Sequence, residues 1–256
     1  MNPTQGTAKV PEVTLGFWII KILATTLGET GGDALSMTMD LGYALSSVIF
    51  FALFAVTVAA QIGARSFNRF LYWVVIVTTT TVGTTMADFA DRSLGIGYVG
   101  GSLVLLAMLL AVLGLWWFTQ GSIAVATVST PKIEAFYWAT ILFSNTLGTA
   151  LGDFFADDSG LGYEGAAVVF ALGLGLVALA YYRLNLPAAL AFWAGFILTR
   201  PLGATVGDTL TKPFADGGLH LSRISSSAVI AALIVLGVLF SGRRAGSHPA
   251  RRTEAV

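Results

Sequence analysis

TTTTVGTTMAD, residues Thr78 to Asp88, lies in a hydrophobic stretch and carries six threonines, a glycine and a final carboxylate. Its T-V-G invites comparison with the filter of a potassium channel. The other readings are a polar face on a membrane helix, or a helix end. Reading outward to Trp73 decides the matter. Gly83 follows Trp73 by ten residues and Asp88 by fifteen, and the same spacing recurs from Trp18 (Gly28, Asp33), Trp138 (Gly148, Asp153) and Trp193 (Gly203, Asp208). The matching segments are TLGETGGD, TVGTTMAD, TLGTALGD and PLGATVGD. Nine and ten residues after the aspartate, the first three copies place Gly42-Tyr43, Gly97-Tyr98 and Gly162-Tyr163, where the fourth has Gly217-Gly218. A fixed period of this kind marks a repeat architecture.

The tryptophans are 55, 65 and 55 residues apart, and the ten extra residues fall around Gln120 to Lys132. The chain therefore reads as a unit duplicated twice, with a longer linker between the halves. A channel subunit with a pore helix and filter needs about 80 residues, more than this unit holds. Asp88 also lies seven residues after Thr81, where that filter would place its aspartate at five. The filter reading is set aside.

The chain is 55% hydrophobic and 11% charged, with a mean hydropathy of +0.79. Soluble domains carry about 25% charged residues. Several apolar runs reach the roughly 20 residues that cross a bilayer. The reading is an all-α membrane protein forming a single membrane domain over 1–256. Formal net charge is zero, which gives no footprint for nucleic acid. There are no cysteines, which excludes disulfides, thiolate metal sites and cysteine nucleophiles. MNPTQGTAKVPEV lacks a basic leader region, so no cleaved signal is expected.

Each repeat holds a first helix with the Trp and Asp and a second, aliphatic one. The repeats run over about 13–65, 68–120, 133–185 and 188–243, followed by a polar tail, 244–256. Spans are expected near 13–35, 44–63, 69–90, 98–118, 134–156, 164–182, 188–210 and 224–241. Eight transmembrane helices place both termini on one side. That side carries Lys9, Arg65, Arg69, Lys132, Arg183, Arg243, Arg244, Arg251 and Arg252, against only Arg92, Lys212 and Arg223 opposite. Positive residues stay in the cytoplasm, so both termini are expected there. Two helices per unit make four parallel repeats in two duplicated halves, not inverted ones.

The W-x9-G-x4-D spacing and the following Gly-Tyr resemble a family of bacterial membrane proteins built from tandem copies of a short repeat of unknown function. The resemblance covers roughly Phe17 to Arg243. It implies topology and a bacterial inner-membrane location, and brings no substrate with it.

On a helix, positions i, i+3, i+4 and i+7 share a face. Thr81, Thr84 or Thr85, and Asp88 obey that spacing. So do Thr146, Thr149 and Asp153, and in the first repeat Thr26, Glu29 or Thr30, and Asp33. The fourth has Pro201, Thr205 and Asp208. Each aspartate could be a wet helix end, but four at one position, with Glu29 a turn before Asp33, favour function, because ionisable residues within spans are costly. Gly28, Gly83, Gly148 and Gly203, with Pro201, are candidate hinges or close-approach points. Asn145 and Arg200 stand where the first two repeats have Thr25 and Thr80. Arg200 should pair with a carboxylate of another repeat, while Lys21 can either tune the site or snorkel to the interface. Glu29 and the four aspartates exceed Lys21 and Arg200 by three charges, an excess that needs protons, a cation or water.

The tryptophans and tyrosines read mainly as interface anchors. Met37, Met39 and Met86 lie near the carboxylates in sequence, and His220 and His248 lack metal-site spacing. No nucleotide-binding or nucleophile motif occurs, so neither an enzyme nor a cofactor is expected. The expected function is a transporter for a small cation, a hard divalent ion of Mn or Mg type exchanged for protons through a carboxylate-lined cavity. Its oxygen ligands would come from Asp33, Asp88, Asp153 and Asp208, with Glu29, the threonines and Asn145. The expected partners are the lipid bilayer and the ion, and a homo-oligomer is compatible with the sequence. The rival readings are a passive cation channel, an organic-substrate transporter, a membrane enzyme using the clustered aspartates, and an accessory subunit.

Overall fold

The computed structural model describes residues 8–241. The polar tail at 244–256 and its arginines lie outside this range. Among the described residues there are eight long helices and no strand: α1 (Leu15–Asp33), α2 (Gly42–Gly63), α3 (Arg69–Asp88), α4 (Tyr98–Gln120), α5 (Pro131–Asp153), α6 (Gly162–Arg183), α7 (Ala188–Thr211) and α8 (Arg223–Phe240). They fall on the eight expected segments. Six, namely α2, α3, α4, α6, α7 and α8, are long and apolar enough to cross a membrane. The other two, α1 and α5, carry Lys21, Glu29 and Asp33, and Lys132, Glu134 and Asp153.

Local chemistry sets the helix starts. The side chains of Thr14, Asn68, Thr130 and Ser222 accept hydrogen bonds from backbone N–H groups in the first turns of α1, α3, α5 and α8. Pro131 opens α5, where a missing N–H costs nothing. The repeated glycine has an equally local role. Gly42, Gly97, Gly162 and Gly217 have φ of 71°, 78°, 67° and 83°, a left-handed conformation that side chains resist. In the first three repeats this turn releases the chain into its second helix.

The odd-numbered helices form an inner ring in which α1 touches α3 and α7, and α5 touches α3 and α7. The even helices lie outside: α2 packs on α3, α4 on α5, α6 on α7, and α8 closes the circle on α1. Each outer helix therefore covers the inner helix of the following repeat, so no repeat has a core of its own. The outer helices turn Leu, Val and Phe side chains outward, among them Leu53, Val104, Leu172 and Leu233.

The recurring spacing of the repeat acts at the inner contacts. A Cβ at Gly28 would stand 2.3 Å from Thr80 Oγ1, and at Gly83 3.1 Å from the Asn145 backbone. At Gly148 it would meet Arg200 Cγ at 2.4 Å, and at Gly203 Thr25 Oγ1 at 2.1 Å. The glycine of each repeat thus receives the residue three places before the next repeat's glycine. Contacts one turn on, Gly32 with Thr84 and Gly207 with Glu29, keep the same step. These four glycines are contact points, and the inner helices run unbroken through them. Interhelical hydrogen bonds recur too: Thr80 Oγ1 donates to Ala24 O at 3.1 Å, and Thr25 Oγ1 lies 3.1 Å from Thr199 O.

Three of the four repeated tryptophans correct the sequence reading. Trp73, Trp138 and Trp193 are buried in one aromatic cluster with Phe17, Tyr72, Tyr137 and Phe192, not spread along an interface. The residue before each Trp forms a buried layer across the ring, in which the Tyr72 and Tyr137 hydroxyls lie 2.6 Å apart.

Candidate functional site

Successive ring layers follow at four-residue steps, as one helix face requires. After the aromatic layer come Lys21, Ile76, Ile141 and Phe196, all but fully buried. Next come Thr25, Thr80, Asn145 and Arg200, then Glu29, Thr84, Thr149 and Ala204, and last Asp33, Asp88, Asp153 and Asp208.

Lys21 does not snorkel. Its Nζ donates to Asn145 Oδ1 at 3.3 Å and sits 4.1 Å from the Phe196 ring centre. The Phe196 face and the Asn145 amide oxygen take the place of water around this buried head group. Arg200 is also wholly buried and points along the ring towards the carboxylates. It bonds Glu29 Oε2 at 3.0 Å, Thr149 Oγ1 at 2.7 Å, the Thr25 carbonyl at 3.3 Å and the Thr84 hydroxyl. The middle of the ring is therefore packed side chain, not the open cavity that clustered carboxylates suggest.

The four aspartates converge. Arg92 lies 3.0 Å from Asp88 and 3.6 Å from Asp153. Lys212 lies 3.4 Å from Asp33 and 3.3 Å from Asp208, and Arg223 is 3.5 Å from Asp33. One carboxylate oxygen from each of Glu29, Asp33 and Asp88 lies within 4.8 Å of the others. All of these acids are buried.

Arg92, Lys212 and Arg223, expected as loop charges, belong to the site and cancel the apparent excess of three negatives. Lys212 lies just beyond α7. Burial favours its neutral form, but the charges of Asp208 and Asp33 outweigh that and hold the ammonium above the usual lysine range. A sequence signal existed for two of the three: Arg92 and Lys212 each follow an aspartate by four residues, one helical turn. Arg223 had none.

Two local features place these groups. In the first three repeats the helix passes from α to a π turn directly after the aspartate, at Ala34–Thr38, Phe89–Ser93 and Phe154–Asp158. Such turns are frequent at functional sites. In the fourth, Pro213 follows and the chain folds back onto α7, with Leu219 N bonding Thr209 O. A Cβ at Gly218 would lie 2.1 Å from the Lys212 carbonyl oxygen. That contact explains why a glycine replaces the repeated tyrosine. The other three tyrosines stand near the next repeat's aspartate: Tyr43 near Asp88, Tyr98 near Asp153 and Tyr163 near Asp208. Asp33, deprived of such a tyrosine, meets Arg223.

The threonines divide by role. Thr26, Thr81 and Thr146 donate to the carbonyl four residues back on their own helices, at 3.0, 2.9 and 2.9 Å. Thr84 and Thr149 meet Arg200. The opening stretch is thus one continuous helix: Thr78 bonds Thr57, Thr80 reaches α1, and Thr79, Thr81 and Thr85 bond backwards. Met37, Met39 and Met86 are exposed on the outer surface, and His220 packs on Phe214. His248 lies outside the described residues.

No curated protein and no solved structure matched the chain. The family described as Repeat of Unknown Function (DUF347) matches it four times, over residues 16–67, 71–122, 136–186 and 191–246. The chain belongs to that family.

Proposed function

We propose that this protein is a multi-pass carrier of the bacterial inner membrane that moves a small, hard cation of Mn or Mg type in exchange for protons. The convergence of the four repeated aspartates with Glu29 at one end of the inner ring carries this reading. Hard divalent ions take oxygen ligands, and the acids here offer only oxygen. The packed ring favours a carrier over an open channel, since nothing passes without rearrangement. Two of the basic partners are reachable from outside: the side chains of Arg92 and Arg223 are 29% and 20% exposed. They serve as internal counter-ions that an arriving cation displaces. The four aspartates share only three basic partners, Arg92, Lys212 and Arg223, among the described residues, and a buried carboxylate left without a full counter-charge favours the protonated form until a cation arrives. Cation binding and proton release are then linked, each affecting the other equally.

The topology is part of the proposal. All eight helices cross the membrane, α1 and α5 being shielded within the ring, the four repeats run parallel, and both termini are cytoplasmic. The cysteine-free chain makes the test direct. Ser159→Cys should react with an impermeant thiol reagent from outside, and Ser66→Cys only after permeabilisation. The opposite pattern would reverse the orientation.

The functional test is flux. Purified protein in liposomes containing a pH-sensitive dye should move protons when Mn²⁺ or Mg²⁺ is added to one side. Cation flux without proton movement at any pH rejects the exchange. No flux of any hard cation rejects the cargo and leaves the organic-substrate and enzyme readings.

A further inference from the structure

The Arg200 head group is held by oxygens from each of the other three repeats: the Thr25 carbonyl and Glu29 of α1, Thr84 of α3 and Thr149 of α5. The threonine hydroxyls are well placed to accept. Thr84 Oγ1 lies 3.2 Å from the carbonyl oxygens of Thr80 and Gly28, and Thr149 Oγ1 lies 3.3 Å from that of Asn145. Donating their protons to carbonyls turns their lone pairs towards the guanidinium. The remaining member of this layer is Ala204, which adds no polar atom. The stem of Arg200 passes the bare Cα of Gly148, where a Cβ would strike Cγ and Cβ at 2.4 and 2.5 Å. The position is therefore built on both sides: a glycine admits the stem, and one carboxylate, one carbonyl and two hydroxyls receive the head.

We propose that this oxygen cage is a cation-binding site in its own right, occupied by the protein's own guanidinium, and that Arg200 is a tethered plug that leaves it when cargo moves along the ring. The first half stands without the carrier reading; the second rests on it. The ligand class is a compact organic cation with N–H donors, because the cage presents several separate acceptors around one charge. A quaternary ammonium has the charge but no donors. Hydrated divalent ions belong to the aspartate layer above, where several carboxylates meet. The plug also accounts for the asymmetry of the repeats, since Glu29, Arg200 and Ala204 each occur once at their positions and together form one device.

The test removes the plug and supplies the cation free. Arg200→Ala deletes the head group and the outer stem, and so frees the space that methylguanidinium needs. Methylguanidinium at millimolar concentration should raise the thermal unfolding midpoint of the full-length detergent-purified variant by several degrees and leave wild type unmoved. Tetramethylammonium at equal ionic strength should do nothing. The rise should disappear in Arg200→Ala with Glu29→Gln. Arg200→Ser, equally short, provides the same comparison if the Ala variant is poorly folded. Recovery of folded protein only when methylguanidinium is present during extraction is the same positive result read as yield. Equal responses in wild type and variant, or a response that survives Glu29→Gln, would overturn the site. None of these readouts uses transport, so the site can stand or fall apart from the carrier reading. The plug itself is read in liposomes: Arg200→Ala should leak small cations down their gradient, and added methylguanidinium should suppress the leak. A variant that binds methylguanidinium yet remains as tight as wild type would refute the plug and keep the site.

Discussion

Glu29→Ala should destabilise the folded protein by about 3–5 kcal/mol, the usual cost of leaving one partner of a buried ion pair uncompensated. Among the described residues Glu29 is the only carboxylate bonded to Arg200, and both side chains are buried, with 4% and 0% exposure. The two hydroxyls and one carbonyl that remain are neutral and cannot replace the lost charge. Removing both partners should cost less than the two single changes together. Glu29→Met with Arg200→Met should recover much of the loss, since no unpaired ion is left behind and the volume is kept. A double-mutant cycle on thermal or denaturant unfolding in detergent measures this directly. Additive losses would mean that the pair is held apart in solution and that the ring is not packed around it.

Asp88→Asn should abolish cation flux and leave the protein folded. Asp88 shares Arg92 with Asp153 and, more distantly, with Asp157 at 3.9 Å, so the guanidinium keeps partners when one charge is removed. Structure should therefore survive. The cation site should not, because Asp88 supplies one of the three oxygens that approach within 4.8 Å. Loss of an outer-shell partner of a metal alone costs about 10–100-fold, so losing a ligand should cost at least about 100-fold in apparent affinity. Asp153→Asn lies outside that trio and should weaken transport less. Equal effects would spread the cargo over all four carboxylates.

Much of the fold was legible in the sequence because the repeat is tied to geometry at named positions. The glycine ten residues after each Trp is fixed by the approach of the next inner helix, and the later glycine by a left-handed turn. Helix extents followed from apolar length. The aspartates were visible as a register, and their convergence follows from ring closure. What stayed hidden depended on contacts between repeats. Lys21 faces Asn145 across 124 residues of sequence, and Lys212 reaches Asp33 across 179. No spacing rule spans such distances. The aromatic layer was hidden for another reason: Trp at the end of an apolar run suits a membrane interface as well as a core, and only the neighbouring helices decide between them.

The central claim is that the aspartate layer binds a cation and gives up protons as it does so. Calorimetric titration of Mn²⁺ and Mg²⁺ into the purified full-length protein, run in two buffers of different ionisation enthalpy, measures binding and proton release together. The account predicts saturable binding to wild type, a heat that depends on the buffer, and loss of both in Asp88→Asn. Binding of equal strength in Asp88→Asn, or a wild-type heat independent of buffer, would contradict it.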